Sequence, residues 1–324
     1  NKTVDIDGFN KNMQQQKELA RANQRNTDDE AWRDASEYSS FDPTEFLGYT
    51  EEKGTGKLIY KGDFDQTKKF LIFDRTPFYA TSGGQVYDSG IVNFDGTELK
   101  IVNVVKENGI FLHVVDEEDT GLVAALKVGS EAELCIDSVR RHKIARSHSA
   151  THLLQKALQD VLGNHVNQAG SYVDENYLRF DFNHYQPVSQ EELAQIEAIV
   201  NDKVDQYLTI TMQEMPIEEA KKLGAMAIFG EKYGDIVRVV NMGDYSIEFC
   251  GGTHIDNTGK VGGFKIVTEQ GIASGVRRIE AITGSNVVKY LTDKQSVINE
   301  IAKTLKSSET DLVRKAGQIV ADNK

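Results

Sequence analysis

The alternation of apolar and polar positions changes character three times along this chain. Over residues 1–40 apolar side chains are sparse. Phe9, Met13 and Ala20 lie at helical spacing in a Gln-, Lys- and Arg-rich background, which predicts a polar helix that needs a neighbour to pack on. From Phe41-Asp42-Pro43 to about Ile136 short alternating runs predict strands at 57–62, 68–74, 90–94, 98–105, 110–115 and 131–136. Turn signals separate them at Gly54-Thr55-Gly56, Ser82-Gly83-Gly84, Asp95-Gly96 and Asn108-Gly109, the last two being strong hairpin cues. Many short strands at close spacing predict a small β-barrel.

The period then lengthens. Ile144, Leu154, Ala157, Leu158 and Val161 give an apolar face to a helix over 138–162, with Gly163 placed to end it. Strands are predicted at 169–174 and 177–183, then a helix over 189–206 opened by a Ser189/Glu192 capping box. Further strands follow at 208–214, 235–241, 245–249, 262–269 and 276–282, with a short helix at 217–223. This is an α+β pattern with a mostly antiparallel sheet. After Ser285, Val297, Ile301, Leu305, Leu312, Val313 and Ile319 continue an amphipathic helical stripe suited to a hairpin or to homo-oligomer contacts. The expected division is 1–40, 41–137, 138–285 and 286–324.

Composition narrows the class of function. A chain of 324 residues is long for one core, and 39% hydrophobic with 27% charged residues fits a globular protein of two or three domains. A net charge of −13 argues against a generic nucleic-acid coat but leaves room for a local basic patch. Two cysteines, Cys135 and Cys250, form no disulfide framework and are expected in a reducing, cytoplasmic compartment. No apolar run is long enough for a membrane span, and no signal-peptide pattern opens the chain. Because it starts at Asn1 without methionine, the chain is expected to be a piece of a longer protein.

Two motifs carry the chemistry. His148-Ser149-Ala150-Thr151-His152 and Cys250-Gly251-Gly252-Thr253-His254 each place two metal-ligating side chains four residues apart. Three of the chain's seven histidines and one of its two cysteines fall in these windows. On a helix, His148 and His152 share a face. The glycines between Cys250 and His254 favour a turn or a helix start. Three imidazoles and a thiolate form the donor set that Zn2+ prefers, either as a closed structural site or as a catalytic site in which water takes one position. Thermolysin-type peptidases place a glutamate directly after the first histidine of such a pair; here that residue is Ser149, which points away from peptidase chemistry and leaves ester hydrolysis open.

The two motifs together resemble the zinc-binding editing domain shared by alanyl-tRNA synthetases, stand-alone alanyl-tRNA editing proteins and, more distantly, threonyl-tRNA synthetases. Three further stretches are similar to the alanyl branch. Asp74-Arg75-Thr76-Pro77-Phe78-Tyr79-Ala80-Thr81-Ser82-Gly83-Gly84-Gln85 resembles its glycine-rich motif. Gln168-Ala169-Gly170-Ser171 resembles the segment that gives the editing pocket its glutamine. Gly275-Val276-Arg277-Arg278-Ile279-Glu280-Ala281-Ile282-Thr283-Gly284 resembles the strand that closes the domain. The resemblance covers about 41–285. Val4-Asp5-Ile6-Asp7-Gly8-Phe9 and the polar helix after it resemble the link from a tRNA-recognition domain, and the tail after Ser285 resembles the start of a helical C-terminal domain.

The resemblance implies a hydrolase that removes serine and glycine wrongly esterified to alanine tRNA, acting on the tRNA acceptor end beside the remaining domains of the same synthetase. No class II aminoacylation motif is found, so the segment is not expected to charge tRNA itself. It also implies Zn2+ held by His148, His152, Cys250 and His254, and a pocket role for Gln168; Thr151 is a further candidate for the pocket. The basic residues Arg140, Arg141, Lys143 and Arg146 are candidates to hold acceptor-end phosphates, as is Arg277, although adjacent Arg277 and Arg278 face opposite ways on a strand. The alternatives are a non-enzymatic tRNA-binding module with structural zinc, a stand-alone editing protein, and an enzyme of small amino-acid esters.

Overall fold

The computed structural model describes residues 37–226 and 234–322. The helix expected over 1–40 falls almost wholly outside them. The described chain separates into two compact units, one containing Tyr87–Asp137 with the chain up to Thr81, the other Ser82–Val86 with Ser138–Lys324.

Among its described residues the first unit holds eight strands and one short α-helix: β1 (Glu45–Phe46), β2 (Lys53–Asp63), β3 (Lys69–Phe73), β4 (Arg75–Thr76), β5 (Gly90–Phe94), β6 (Thr97–Glu107), β7 (Ile110–Val115), α1 (Thr120–Val123) and β8 (Glu131–Ile136). Six of them close into a barrel in the order β2-β3-β7-β6-β5-β8, while β1 and β4 pair separately in parallel. Alternation is clear in β8, whereas β7 is buried at all six positions. Ala132, Leu134 and Ile136 of β8 are buried with Leu58, Leu71, Phe73, Val92 and Leu99 from its neighbours. The β5–β6 and β6–β7 hairpins turn on Asp95-Gly96 and Asn108-Gly109, all four residues at positive φ (49°, 92°, 49° and 89°), as a type I′ turn requires.

Two local expectations change here. Gly54-Thr55-Gly56 is not a turn. Lys53 to Lys57 form the first half of β2 and pair with β8, because the glycines permit close packing: a Cβ on Gly56 would fall 2.6 Å from the Arg75 carbonyl oxygen. Cys135, whose place between Leu134 and Ile136 in an apolar strand suggests a buried thiol, is half-buried, since alternation turns it away from both. His113 is fully buried in this unit. Its Nδ1 lies 3.1 Å from the Leu71 carbonyl oxygen and its Nε2 2.7 Å from Thr76 Oγ1.

The second unit is α+β: α2 (Ser138–Leu162), β9 (Gln168–Val173), β10 (Leu178–Asn183), α3 (Gln190–Asp205), β11 (Ile210–Pro216), α4 (Ile217–Lys222), β12 (Ile236–Met242), β13 (Ser246–Phe249), β14 (Phe264–Ala273), β15 (Val276–Thr283), α5 (Ser285–Thr304) and α6 (Leu312–Asp322). Two antiparallel sheets form, β14-β15-β10-β9 and β11-β12-β13. Leu178, Phe180 and Phe182 of β10 and Ile279 and Ala281 of β15 bury one face of the larger sheet against Leu154, Ala157 and Leu158 of α2 and Ile196 and Val200 of α3. Gly163, at φ 111°, ends α2, and the Ser189/Glu192 capping box opens α3 as the sequence predicts.

The helical tail is present, but Ala302 is its one buried residue among those described. Val288, Leu291, Val297, Ile301, Val313 and Val320 are exposed. Among the described residues no helix is long and apolar enough to cross a membrane.

Candidate metal centre

The centre lies within the second unit. Residues of α2 four apart bring His148 and His152 to one side of the helix, their rings stacked with centroids 5.5 Å apart. The chain leaving β13 supplies Cys250 and His254. Each of the four residues offers a ligand atom, and these atoms all lie within 4.8 Å of one another. Cys250 Sγ stands 3.4 Å from His148 Nε2 and 3.2 Å from His254 Nε2. A tetrahedral zinc bound by sulfur and nitrogen would set that separation at about 3.5 Å. The donor set therefore fits a zinc-sized ion in both chemistry and spacing.

Each histidine is held from behind at Nδ1 by a different segment. His148 Nδ1 lies 2.7 Å from Gln85 Oε1. His254 Nδ1 lies 3.0 Å from Ser149 Oγ, which also accepts the Ile255 N–H. His152 Nδ1 lies 2.9 Å from Glu248 Oε2, an ion-pair contact approached off the axis of a directed hydrogen bond. Ser246 Oγ donates to the other oxygen of Glu248. Such partners behind ligating imidazoles fix the ring and leave Nε2 for the metal. The Cys250 loop is pinned as well: Arg238 donates to the carbonyl oxygens of Cys250 and Gly252 at 2.9 and 2.8 Å.

The electrostatics suit a cation. Burial resists ionisation of Cys250, but the rings of His148, His254 and His152 outweigh it and hold the thiol well below its ordinary value. Burial also works against a charged His152, yet Glu248 and Cys250 push it up to about 10. For His254, burial wins and pushes it down to about 3. The protein thus gathers a thiolate and a carboxylate around buried imidazoles, and a bound divalent ion would balance those two negative charges.

The remaining candidates are placed differently. Gln168 opens β9, half-buried, with its amide donating to Ser171 Oγ at 3.3 Å. Thr151 is buried and its hydroxyl donates to the Ser147 carbonyl oxygen one turn back, so its polar atom serves the helix. The basic run, a candidate from the sequence for acceptor-end phosphates, is spread over different surroundings. Arg141 is buried, Arg140 pairs with Glu175 at 3.2 Å, and Arg146 Nε donates to the Lys260 carbonyl oxygen at 2.8 Å. Lys143 is half-buried and has no polar partner among the described residues. Arg277, the candidate outside that run, has a carboxylate partner. Its guanidinium is held bidentately by Glu269 at 2.6 and 2.7 Å, and Arg278 is held the same way by Asp181, so both strand faces carry ion pairs.

Four residues of the centre had no assigned role from the sequence: Gln85, Glu248, Arg238 and Thr253. Gln85 stands in the glycine-rich stretch that carried part of the resemblance, and Glu248 stands two residues before Cys250, so both had a signal. Arg238 had none, because its contact is purely tertiary.

Residues 1–140 match the family model described as tRNA synthetases class II (A), and residues 237–280, which include Cys250 and His254, match the Threonyl and Alanyl tRNA synthetase second additional domain. The chain is 45% identical over 333 residues to an alanine–tRNA ligase of Acetivibrio thermocellus, covering 99% of the chain and 37% of that protein. It is 43% identical over 335 residues to the alanine–tRNA ligase of Clostridioides difficile, covering 99% and 37% respectively. To the alanine–tRNA ligase of Fusobacterium nucleatum it is 45% identical over 311 residues, covering 95% and 35%. It spans little more than a third of the length of these curated relatives. The chain belongs to the alanyl-tRNA synthetase family and bears the second additional domain that alanyl and threonyl synthetases share.

Proposed function

We propose that this chain hydrolyses the aminoacyl ester of mischarged alanine tRNA, releasing serine and glycine. The observation that carries the reading is the His148-His152-Cys250-His254 cluster, its first two residues buried and its last two half-buried, in a chain whose relatives are alanine–tRNA ligases. A pocket built for alanine cannot strongly exclude the smaller glycine, or serine with its one added hydroxyl, so a second, hydrolytic site is the physical remedy.

The four donors would hold Zn2+, with Gln85, Ser149 and Glu248 keeping the three rings in place. Bound there, the ion would supply a Lewis acid for an ester carbonyl or a water. Gln168 offers an amide on β9 to the serine hydroxyl. Alanine would leave that group unpaired, at about 1–3 kcal/mol if it is buried in the complex. Lys143 is the basic residue of α2 left to meet an acceptor-end phosphate. Charging of tRNA, the handover of the acceptor end and a cytoplasmic location are assigned to the whole synthetase, of which this chain would be the editing part. The uncovered apolar stripe of α5 and α6 supports a further contact there, with a second copy or with the remaining domains.

A second reading has its own support. All four donors converge, and a closed shell of four protein ligands is the pattern of structural zinc. The chain would then bind tRNA without hydrolysing it. Incubation with seryl-, glycyl- and alanyl-tRNA, with and without a chelator, separates the two. Release of serine and glycine that the chelator abolishes, with alanine spared, is the outcome expected of an editing hydrolase; tRNA binding without release would establish the second reading.

A further inference from the structure

The Ser82–Val86 segment makes a tight turn. Ser82 and Gln85 exchange backbone hydrogen bonds at 3.1 and 3.0 Å, and Gly83 and Gly84 both have positive φ, 57° and 83°. The turn is stitched to β9: Val173 N–H donates to the Gly84 carbonyl oxygen and Val86 N–H to the Val173 carbonyl oxygen. Gly84 cannot carry a side chain here, since a Cβ would fall 2.2 Å from Ser171 Oγ. The result is that Gln85, a long polar side chain, is wholly buried beside the metal-ligand cluster.

Its amide orientation is determined by its neighbours. Thr253 N–H can only donate, and it points at Gln85 Oε1 from 2.9 Å, so that atom is the oxygen. Gln85 Nε2 then donates to Thr253 Oγ1 at 2.8 Å. The same oxygen lies 2.7 Å from His148 Nδ1, which must therefore carry the proton. A neutral imidazole protonated at Nδ1 has its lone pair on Nε2, the nitrogen that faces Cys250 Sγ. One backbone N–H in the Cys250 motif thus selects, through Gln85, which nitrogen of His148 is free to ligate.

We propose that Gln85 is a positioning residue of the metal centre, which couples the Cys250 loop to the α2 histidines by fixing the tautomer of His148. The inference rests on the reading of the cluster as a metal site. It gives the glycine-rich stretch a task that a turn alone does not explain.

The test uses the 324-residue chain and Zn2+ itself. In the zinc-loaded protein, nitrogen-15 NMR of the histidine rings is expected to find His148 bound through Nε2 and protonated at Nδ1. Chelator competition is expected to show Gln85→Leu weakening zinc binding by about 10–100-fold. Gln85→Glu, which keeps an acceptor for both N–H groups, is expected to hold zinc close to the wild-type affinity. Binding of His148 through Nδ1 overturns the proposal even if the leucine variant does not fold. So does a folded Gln85→Leu protein that binds zinc as tightly as wild type. If the wild-type protein competes for no zinc at all, it is the metal reading that fails, and the proposal with it.

Discussion

Gly252 lies directly against the ring of His148: a Cβ on it would fall 2.0 Å from His148 Cε1, 2.4 Å from Nδ1 and 3.0 Å from Gln85 Oε1. The loop that carries Cys250 can therefore approach the α2 histidine only without a side chain at this position. Gly252→Ala must push back the ring or the loop, at a cost of about 1–3 kcal/mol in a close-packed site. The variant is expected to bind zinc more weakly than wild type while keeping its circular dichroism spectrum. Unchanged affinity in chelator competition would show that the contact relaxes freely.

Gln168 is the candidate for recognising the serine hydroxyl, and its neighbour Ser171 already accepts a hydrogen bond from its amide. Gln168→His, assayed on seryl- and alanyl-tRNA, is expected to narrow the ratio of the two deacylation rates by about 5–150-fold, the worth of one buried polar contact. An unchanged ratio would remove Gln168 from the pocket.

Much of this architecture was legible because its causes are local. Asp95-Gly96 and Asn108-Gly109 specify their hairpins through positive φ, and α2 ends where Gly163 permits it. The quartet of donors was legible because helical spacing alone faces His148 toward His152. What was not legible depends on contacts between distant residues. Pairing of Lys53 with Cys135 helps close the barrel and turns an expected glycine loop into strand. Glu269 and Asp181 occupy both arginines of the Arg277-Arg278 pair, a fact that only strand register reveals. The same holds for Gln85, whose task depends on a threonine backbone far away in sequence.

The basic residues now divide by partner. Lys143→Ala is expected to weaken tRNA binding alike for all aminoacyl forms and to lower the salt dependence by about one phosphate contact. Arg277→Ala is expected instead to destabilise the second unit, because Glu269, with only 7% of its side chain exposed, loses its bidentate partner. Titration of tRNA affinity against salt, with urea unfolding of both variants, checks the pair. A lowered salt slope for Arg277→Ala with undiminished stability would reverse the assignment.

His113 makes the first unit sensitive to acid. Burial pushes its pKa from 6.5 down to about 4, against the pull of the Leu71 and Phe111 backbone. Between those values the unfolded chain holds a proton that the folded one does not, so stability rises with pH across the window and is lost as pH falls through it. At pH 5 the loss is about 2 kcal/mol relative to pH 7. Unfolding free energies at the two pH values are expected to differ less in His113→Gln, by about that amount. An equal difference in both proteins would place the titration elsewhere.

We propose that the His148-His152-Cys250-His254 cluster serves hydrolysis of a mischarged tRNA ester. Its most direct test is the rate at which wild type and Cys250→Ala release serine from seryl-tRNA(Ala), each first shown to be folded by circular dichroism. Release by wild type and its loss in the variant are expected; a folded Cys250→Ala protein that deacylates at the wild-type rate would show that the cluster does not serve the reaction.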